Sequence, residues 1–212
     1  MTENSDKNQR LKKFVREQVR TSLLKTGRRL VVGKGAEFLT ARKLSEASNT
    51  SVGTIYNTFA TMEQFIAEEN MQTLDELYAA LSSIIPESNP YINISRYADV
   101  FSAFVTGNRQ LWILLYREHL FNATAPLPRG YLRRVCRIEA LLSRQAEAMF
   151  GALSKAERRT AMQVLGMALF ALSGFLATEP TGKVRKMSKS NICKLLLNTY
   201  LAGLEGLKRV KK

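Results

Sequence analysis

The sequence predicts an all-α protein of about nine helices. Apolar residues recur at three- and four-residue intervals along most of the chain. No segment alternates convincingly between apolar and polar residues at period two. Proline occurs only at positions 86, 90, 126, 128 and 180, so nothing forbids helix interiors in the first 85 residues.

A first helix is expected over residues 7–32, with Leu11, Phe14, Val15, Val19, Leu23 and Leu30 along it; Gly27 weakens it, and Gly33 and Gly35 stop it. Thr40 caps a short second segment, Asn49 lies in the turn after it, and Ser51 caps a third segment ending near Phe59. Thr61 to Gln64 has the spacing of a capping box and opens a long helix, in which Leu74, Leu77, Tyr78 and Leu81 fall at helical spacing. Beyond Pro86 and Pro90, a further helix carries Ile94, Tyr97, Val100, Phe101, Phe104 and Val105. Gly107 and Asn108 separate it from a helix over 109–120. A loop over 121–128 precedes a helix over 129–150 with Leu132, Val135, Ile138, Leu142 and Met149. Ser154 to Glu157 is a second capping box, opening a helix that ends near Thr178. A basic linker over 181–190 leads to a last helix over 191–207.

The charge is uneven. The 212 residues hold 32 Lys and Arg against 18 Asp and Glu, a formal +14. Residues 1–61 carry +7, residues 62–181 carry −1 and residues 182–212 carry +8. A folded protein this basic usually meets nucleic acid or an anionic surface. Only Cys136 and Cys193 are present, which excludes a disulfide framework and points to a cytoplasmic protein. The polar start lacks the apolar core of a secretory signal. His119 is the sole histidine, so paired-histidine chemistry and His-rich metal sites are excluded. Residues 27–34 resemble a phosphate loop superficially, but the spacing is one residue too long and Gly35 replaces the Ser or Thr. No enzymatic activity, metal or cofactor is expected. Met162 to Ala177 is the most apolar stretch; it is shorter than the ~20 residues of a membrane span and is interrupted by Gln163 and Ser173, so no stable membrane insertion is expected. Its small residues Ala168, Ala171, Gly174 and Ala177 recur every three positions and would admit a close helix–helix approach.

Leu44 to Phe59 satisfies the requirements of two short helices joined by a tight turn. Ser45, Ala47 and Ser48 are small enough for a crossing, Asn49 tolerates positive φ, Ser51 caps the second helix, and Leu44, Ile55 and Phe59 serve as buried anchors. This is a helix-turn-helix, which presents the start of its second helix to the major groove. Val52, Gly53, Thr54 and Asn57 fall on the outer side of that helix, beside the cap Ser51. Gly53 allows close backbone approach, Thr54 and Asn57 can reach base edges, and Val52 can meet a thymine methyl. Arg42 and Lys43 can neutralise phosphates.

The chain here resembles the TetR family of transcriptional regulators. The resemblance runs from Gly35 through Thr40, Leu44, Ser51, the Gly53-Thr54-Ile55-Tyr56 core, Phe59 and Thr61 to Phe65, about a quarter of the chain. It implies phosphate contacts from the Thr40 and Tyr56 hydroxyls. It also implies a fold in which an N-terminal three-helix domain precedes a larger helical ligand-binding and dimerisation domain. The expected division is 1–60, the helix-turn-helix domain with its basic N-terminal extension, and 61–212, the effector-binding and dimerisation domain.

Three positions depart from the family pattern: the turn reads Ser48-Asn49-Thr50, Met62 stands where a basic residue is common, and Val52 occupies another often basic site. Lys7, Arg10, Lys12, Lys13, Arg16 and Arg20 upstream would supply the missing phosphate contacts. The function implied is a repressor that binds a palindromic operator in double-stranded DNA as a homodimer and is released by a small-molecule effector. The alternative from charge alone is an architectural, weakly specific DNA binder.

The family's dimer helices would correspond here to the last two. Val164, Ala168, Ala171, Phe175, Ile192, Leu196, Tyr200 and Leu204 are the interface candidates. Phe101, Phe104, Trp112, Tyr116, His119 and Met149 are the candidate effector lining. The near-neutral, aromatic-rich middle favours a small apolar effector.

Overall fold

The computed structural model describes residues 2–121, 128–146, 153–178 and 189–210. Among these it contains nine α-helices, one 3-10 turn and no strand. The helices are α1 (Thr2–Lys34), α2 (Ala41–Ser48), α3 (Val52–Phe59), α4 (Met62–Ser82), α5 (Pro90–Gly107), α6 (Arg109–Phe121), α7 (Arg129–Ala146), α8 (Lys155–Ala177) and α9 (Lys189–Val210). The all-α expectation therefore holds.

The bounds of α1 and the cap at Thr61 differ from expectation. α1 begins at Thr2 and runs through Gly27 and Gly33; Gly33 lies in open space, so nothing forces the helix to end there. The break comes at Gly35, whose φ of 109° only glycine adopts readily, and the unpredicted 3-10 turn Ala36–Phe38 follows. At Thr61 only half a capping box forms. The hydroxyl accepts from Gln64 N at 3.1 Å, while the Thr61 N–H donates to the Phe59 carbonyl at 2.7 Å and so is already satisfied. The box at α8 is reciprocal: Ser154 N donates to Glu157 Oε2 at 2.9 Å, and Glu157 N donates to Ser154 Oγ at 3.3 Å. The expected end of the seventh helix and residues 181–188 of the expected basic linker lie outside the described residues, whereas Lys189 and Ser190, expected in that linker, already belong to α9, which runs on to Val210 rather than ending at 207.

Two buried clusters organise the molecule. The first holds Leu23, Val31, Leu39, Leu44, Ile55, Phe59 and Phe65 around α1–α4, with Leu111 and Leu114 reaching in from α6. The second holds Leu74, Leu77, Tyr97, Trp112, Leu115, Leu165 and Leu176 among α4–α9. α4 and α6 thus contribute to both.

Close helix approaches fall where side chains are missing. A Cβ on Gly27 would lie 2.5 Å from the Phe65 ring, and one on Gly174 would lie 2.5 Å from Tyr116. Of the small residues on α8, Gly174 therefore serves contact with α6 of the same chain. Gly174 and Ala177 are buried, whereas Ala171 is exposed. Arg109 Nε donates to the Ala177 carbonyl at 2.6 Å, satisfying an otherwise unpaired group at the end of α8. Much of the central charge is paired internally. Arg134 and Arg137 of α7 hold Asp75 of α4 at 2.8 and 3.0 Å, and Lys194 of α9 holds Asp99 of α5 at 3.1 Å.

Candidate functional site

The helix-turn-helix is built by short polar contacts. Thr40 Oγ1 accepts from Lys43 N at 3.2 Å and starts α2. Asn49 ends it with φ 51° and ψ 40°, the left-handed conformation expected of the turn residue. Ser48 Oγ donates to the Leu44 carbonyl at 2.7 Å, and Ser45 Oγ donates to the Thr50 carbonyl at 2.6 Å, so these serines tie the turn. Ala47 is exposed and takes no part. Ser51 Oγ accepts from Thr54 N at 3.1 Å and starts α3. Ile55, Thr58 and Phe59 face inward, Thr58 with its hydroxyl donating to the Thr54 carbonyl at 2.8 Å.

Val52, Gly53, Tyr56 and Asn57 are exposed along one side of α3. A Cβ on Gly53 would meet only Ser51 Oγ, at 3.8 Å, so nothing in the chain demands a glycine there. Thr54 is half-buried, and its hydroxyl shares a 2.9 Å hydrogen bond with Ser51 Oγ. These two hydroxyls therefore satisfy each other. Arg42 and Lys43 are exposed but share one carboxylate, with Glu46 at 3.2 Å from Arg42 Nε and 2.9 Å from Lys43 Nζ. The bonds from Lys43 and Arg42 hold the Glu46 carboxyl below its ordinary pKa. A phosphate at α2 must compete with Glu46 for both cations.

The upstream basic residues separate into two groups. Arg20 is structural: it pairs with Glu68, donates to the Thr58 carbonyl at 3.2 Å and lies 4.8 Å over the Phe59 ring. This corrects its expected phosphate role, because its donors are committed to bracing α3 and α4. Arg16 Nη2 donates to the Asn57 carbonyl at 3.0 Å, tying α1 to the outer end of α3. Lys7, Lys12 and Lys13 are exposed. The start of α1 overhangs α3, and the two enclose a groove of about 510 Å³ lined by Leu11, Val15 and Val19 on one side and Thr54, Asn57 and Thr58 on the other.

A second space, about 1140 Å³, opens among α4–α9 within the second core. Phe101 and Trp112 line it, with ring centroids 5.5 Å apart. Phe104 stands behind Trp112, edge-on at 6.3 Å, outside the lining. Tyr116 also falls outside it, because it stacks on Phe170 at 4.9 Å and fills the notch at Gly174. The His119 side chain and Met149 lie outside the described residues. The lining includes residues that periodicity did not single out, among them Tyr131 and Met162. Its rim carries Arg144, Lys155, Arg158 and Arg159.

On the outer face of α8, Val164, Met167, Ala171 and Phe175 are exposed, with Ala168 half-buried beside them. Leu195 of α9 is also exposed. Ile192 and Leu196 are half-buried. Tyr200, an interface candidate, is half-buried, packs against the chain's own core and donates its hydroxyl to the Ala161 carbonyl. The Leu204 side chain lies outside the described residues.

Between α1 and α4 lies a buried cluster that sequence reasoning missed. Arg28 Nη1 donates to Thr73 Oγ1 at 3.2 Å and lies 3.8 Å from Glu69 Oε2, and the same guanidinium pairs with Glu76. Glu69 is fully buried, and neither of its carboxyl oxygens accepts a hydrogen bond from the protein. Burial pushes its pKa up to about 8; the neighbouring Arg28 opposes the shift, while Glu76 and Glu68 add to it.

No protein-family model matches the chain, and no curated protein matches it. Solved structures do. The TetR-family regulator PfmR of Thermus thermophilus superposes with a TM-score of 0.59 at 17% identity, covering 85% of this chain and 97% of that one. The fatty acid degradation regulator FadR of Bacillus halodurans gives 0.63 at 13%, covering 86% and 94%. Thermus thermophilus FadR, a TetR-family repressor solved in complex with lauroyl-CoA, gives 0.63 at 16%, covering 86% and 93%. The fold is that of the TetR-family transcriptional regulators.

Proposed function

We propose that the protein is a sequence-specific DNA-binding transcriptional regulator. Residues 1–60 read a palindromic operator in double-stranded DNA, and residues 61–212 dimerise and bind a small effector that releases it. The observation that carries the reading is the outer face of α3. Val52, Gly53, Tyr56 and Asn57 stand exposed on a capped helix, and Gly53 is a glycine for which the chain itself has no use. An approaching backbone or base edge supplies the missing reason. The dimer follows because one recognition helix reads too few base pairs for an operator. The exposed apolar row Val164, Met167, Ala171 and Phe175 on α8 is the surface that supports it. The FadR complex with lauroyl-CoA supports an effector, and the 1140 Å³ cavity offers the room.

The test is selection of bound duplexes from a random-sequence pool. A two-fold symmetric site should be enriched and should keep its advantage over scrambled DNA as salt is raised. Uniform binding that fades with salt would replace this reading with the architectural binder.

Two variants sharpen the test. Gly53→Ala should stabilise α3 by about 0.5–1 kcal/mol yet weaken operator binding about tenfold or more; thermal melts and mobility shifts read the opposed signs. Deleting residues 1–16 removes Lys7, Arg10, Lys12, Lys13 and Arg16. The slope of log K against log salt should then flatten by about 0.9 for each phosphate contact removed. An unchanged slope means that the α1 overhang lies off the DNA.

A further inference from the structure

We propose that the groove between the start of α1 and α3 docks an acidic segment of a partner protein, which plants apolar side chains between the two helices and excludes DNA while it is seated. The docking stands by itself; only the exclusion rests on reading α3 as the helix that meets DNA.

The lining calls for hydrocarbon. On the α1 side it is Leu11, Val15 and Val19, and Leu11 and Val15 are 61% and 53% exposed. On the α3 side the hydroxyls are already engaged. Thr54 shares a hydrogen bond with Ser51 Oγ at 2.9 Å, and Thr58 donates to the Thr54 carbonyl at 2.8 Å. Arg16 Nη2, on the Asn57 carbonyl at 3.0 Å, ties the two walls together, so the groove has a defined shape. Its volume of about 510 Å³ is that of a recognition pocket. Apolar side chains left exposed together around such a groove mark a contact surface.

The flanks call for acid. Residues 7–16 hold five bases and no acid, and α3 carries no charge. Lys7, Lys12 and Lys13 are exposed and form no ion pair among the described residues. The sign of the charge rejects two other occupants. A second copy would bring a +7 or +8 end or a nearly neutral middle, and the chain's own tail, residues 182–212, carries +8. A phosphate backbone matches the lysines but seeks donors, which the Leu and Val wall lacks. An amphipathic acidic segment satisfies wall and flanks at once, as an apolar helix face does in a groove. Thr54 and Asn57 line this groove and are also the candidate base readers, so the segment and DNA compete for one place.

The full-length protein is used to select from a displayed library of random peptides. Enriched peptides should carry Asp and Glu around large apolar anchors. One of them, fluorescently labelled, is then titrated by anisotropy. The double variant Leu11→Gln, Val15→Gln alters exposed side chains and should keep the melting profile while weakening the peptide at least about tenfold. Its affinity for duplex DNA should change less than about twofold. Added salt should weaken the peptide on the natural chain, and less so on the triple variant Lys7→Gln, Lys12→Gln, Lys13→Gln, which tests the groove independently of its apolar wall. Duplex DNA should displace the peptide. The docking is overturned if no peptide is enriched, if enriched peptides lack acids, or if neither variant alters their binding. A double variant that loses DNA while the peptide stays bound makes DNA the cover of the wall and overturns it too. Peptide and DNA bound together overturn the exclusion alone. A protein that takes the peptide but prefers no duplex sequence overturns the regulator reading and leaves the docking.

Discussion

Phe65→Ala should lower the free energy of unfolding by about 3–5 kcal/mol, one of the largest single losses available in this chain. Phe65 is fully buried at the start of α4, edge-on to Phe59 of α3 at 4.8 Å. It also fills the notch at Gly27, where no side chain separates α1 from α4. One ring thus joins α1, α3 and α4. Truncation leaves a cavity lined by three helices, each held elsewhere, so the site has little freedom to collapse. Because Phe59 anchors the inner face of α3, the proposed DNA binding should fall together with the urea midpoint. Phe14→Ala provides the control. Phe14 is 62% exposed, and its removal should change the free energy of unfolding by less than about 0.5 kcal/mol. If Phe65→Ala melts like that control, Phe65 is not the keystone of the first core.

Glu69→Gln should abolish most of the pH dependence of stability between about pH 4.5 and pH 8. The folded pKa of Glu69 is about 8, against an ordinary value of 4.5, so between those limits the folded chain holds a proton that the unfolded chain releases. The stability associated with that proton is fully present below pH 4.5 and is lost as pH rises through 8. The slope approaches about 1 kcal/mol per pH unit, and the total is several kcal/mol. Arg28, at 3.8 Å, and the nearby Glu68 and Glu76 are the charged groups around it, and burial outweighs the attraction to Arg28. Glutamine keeps the shape without the titration. Urea midpoints of the natural chain should fall from pH 5 to pH 9, while those of the variant stay level over that window. Parallel profiles would show that Glu69 does not titrate in this range.

The helix-turn-helix was legible because its signals are local. Thr40 and Ser51 are caps at fixed offsets, and Asn49 takes the left-handed turn that its side chain permits. Residues 2–6 carry no apolar residue to mark a period and so hid the opening of α1. Arg20 counted as one positive charge among six; only the fold places Glu68, Thr58 and Phe59 around it. The cavity lining was half legible for a similar reason. Period places Phe101, Phe104, Trp112 and Tyr116 on inward faces, but which core layer each meets depends on distant partners such as Phe170 and Gly174. Glu69 did leave a signal. It falls in the four-residue register of Phe65, Thr73, Leu77 and Leu81, all of them buried, and that register outranks its charge.

α6 sets Leu111 and Leu114 in the core of the helix-turn-helix and, one residue on in each case, Trp112 and Leu115 in the core around the cavity. A rigid helix cannot yield on one flank alone. An occupant that displaces the Trp112 ring by an ångström moves Leu111 by a comparable amount, and a close-packed neighbour must shift in turn. α6 is common to both cores, so a shift at Trp112 is also a shift at Leu111, where α6 packs on α1 and the 3-10 turn.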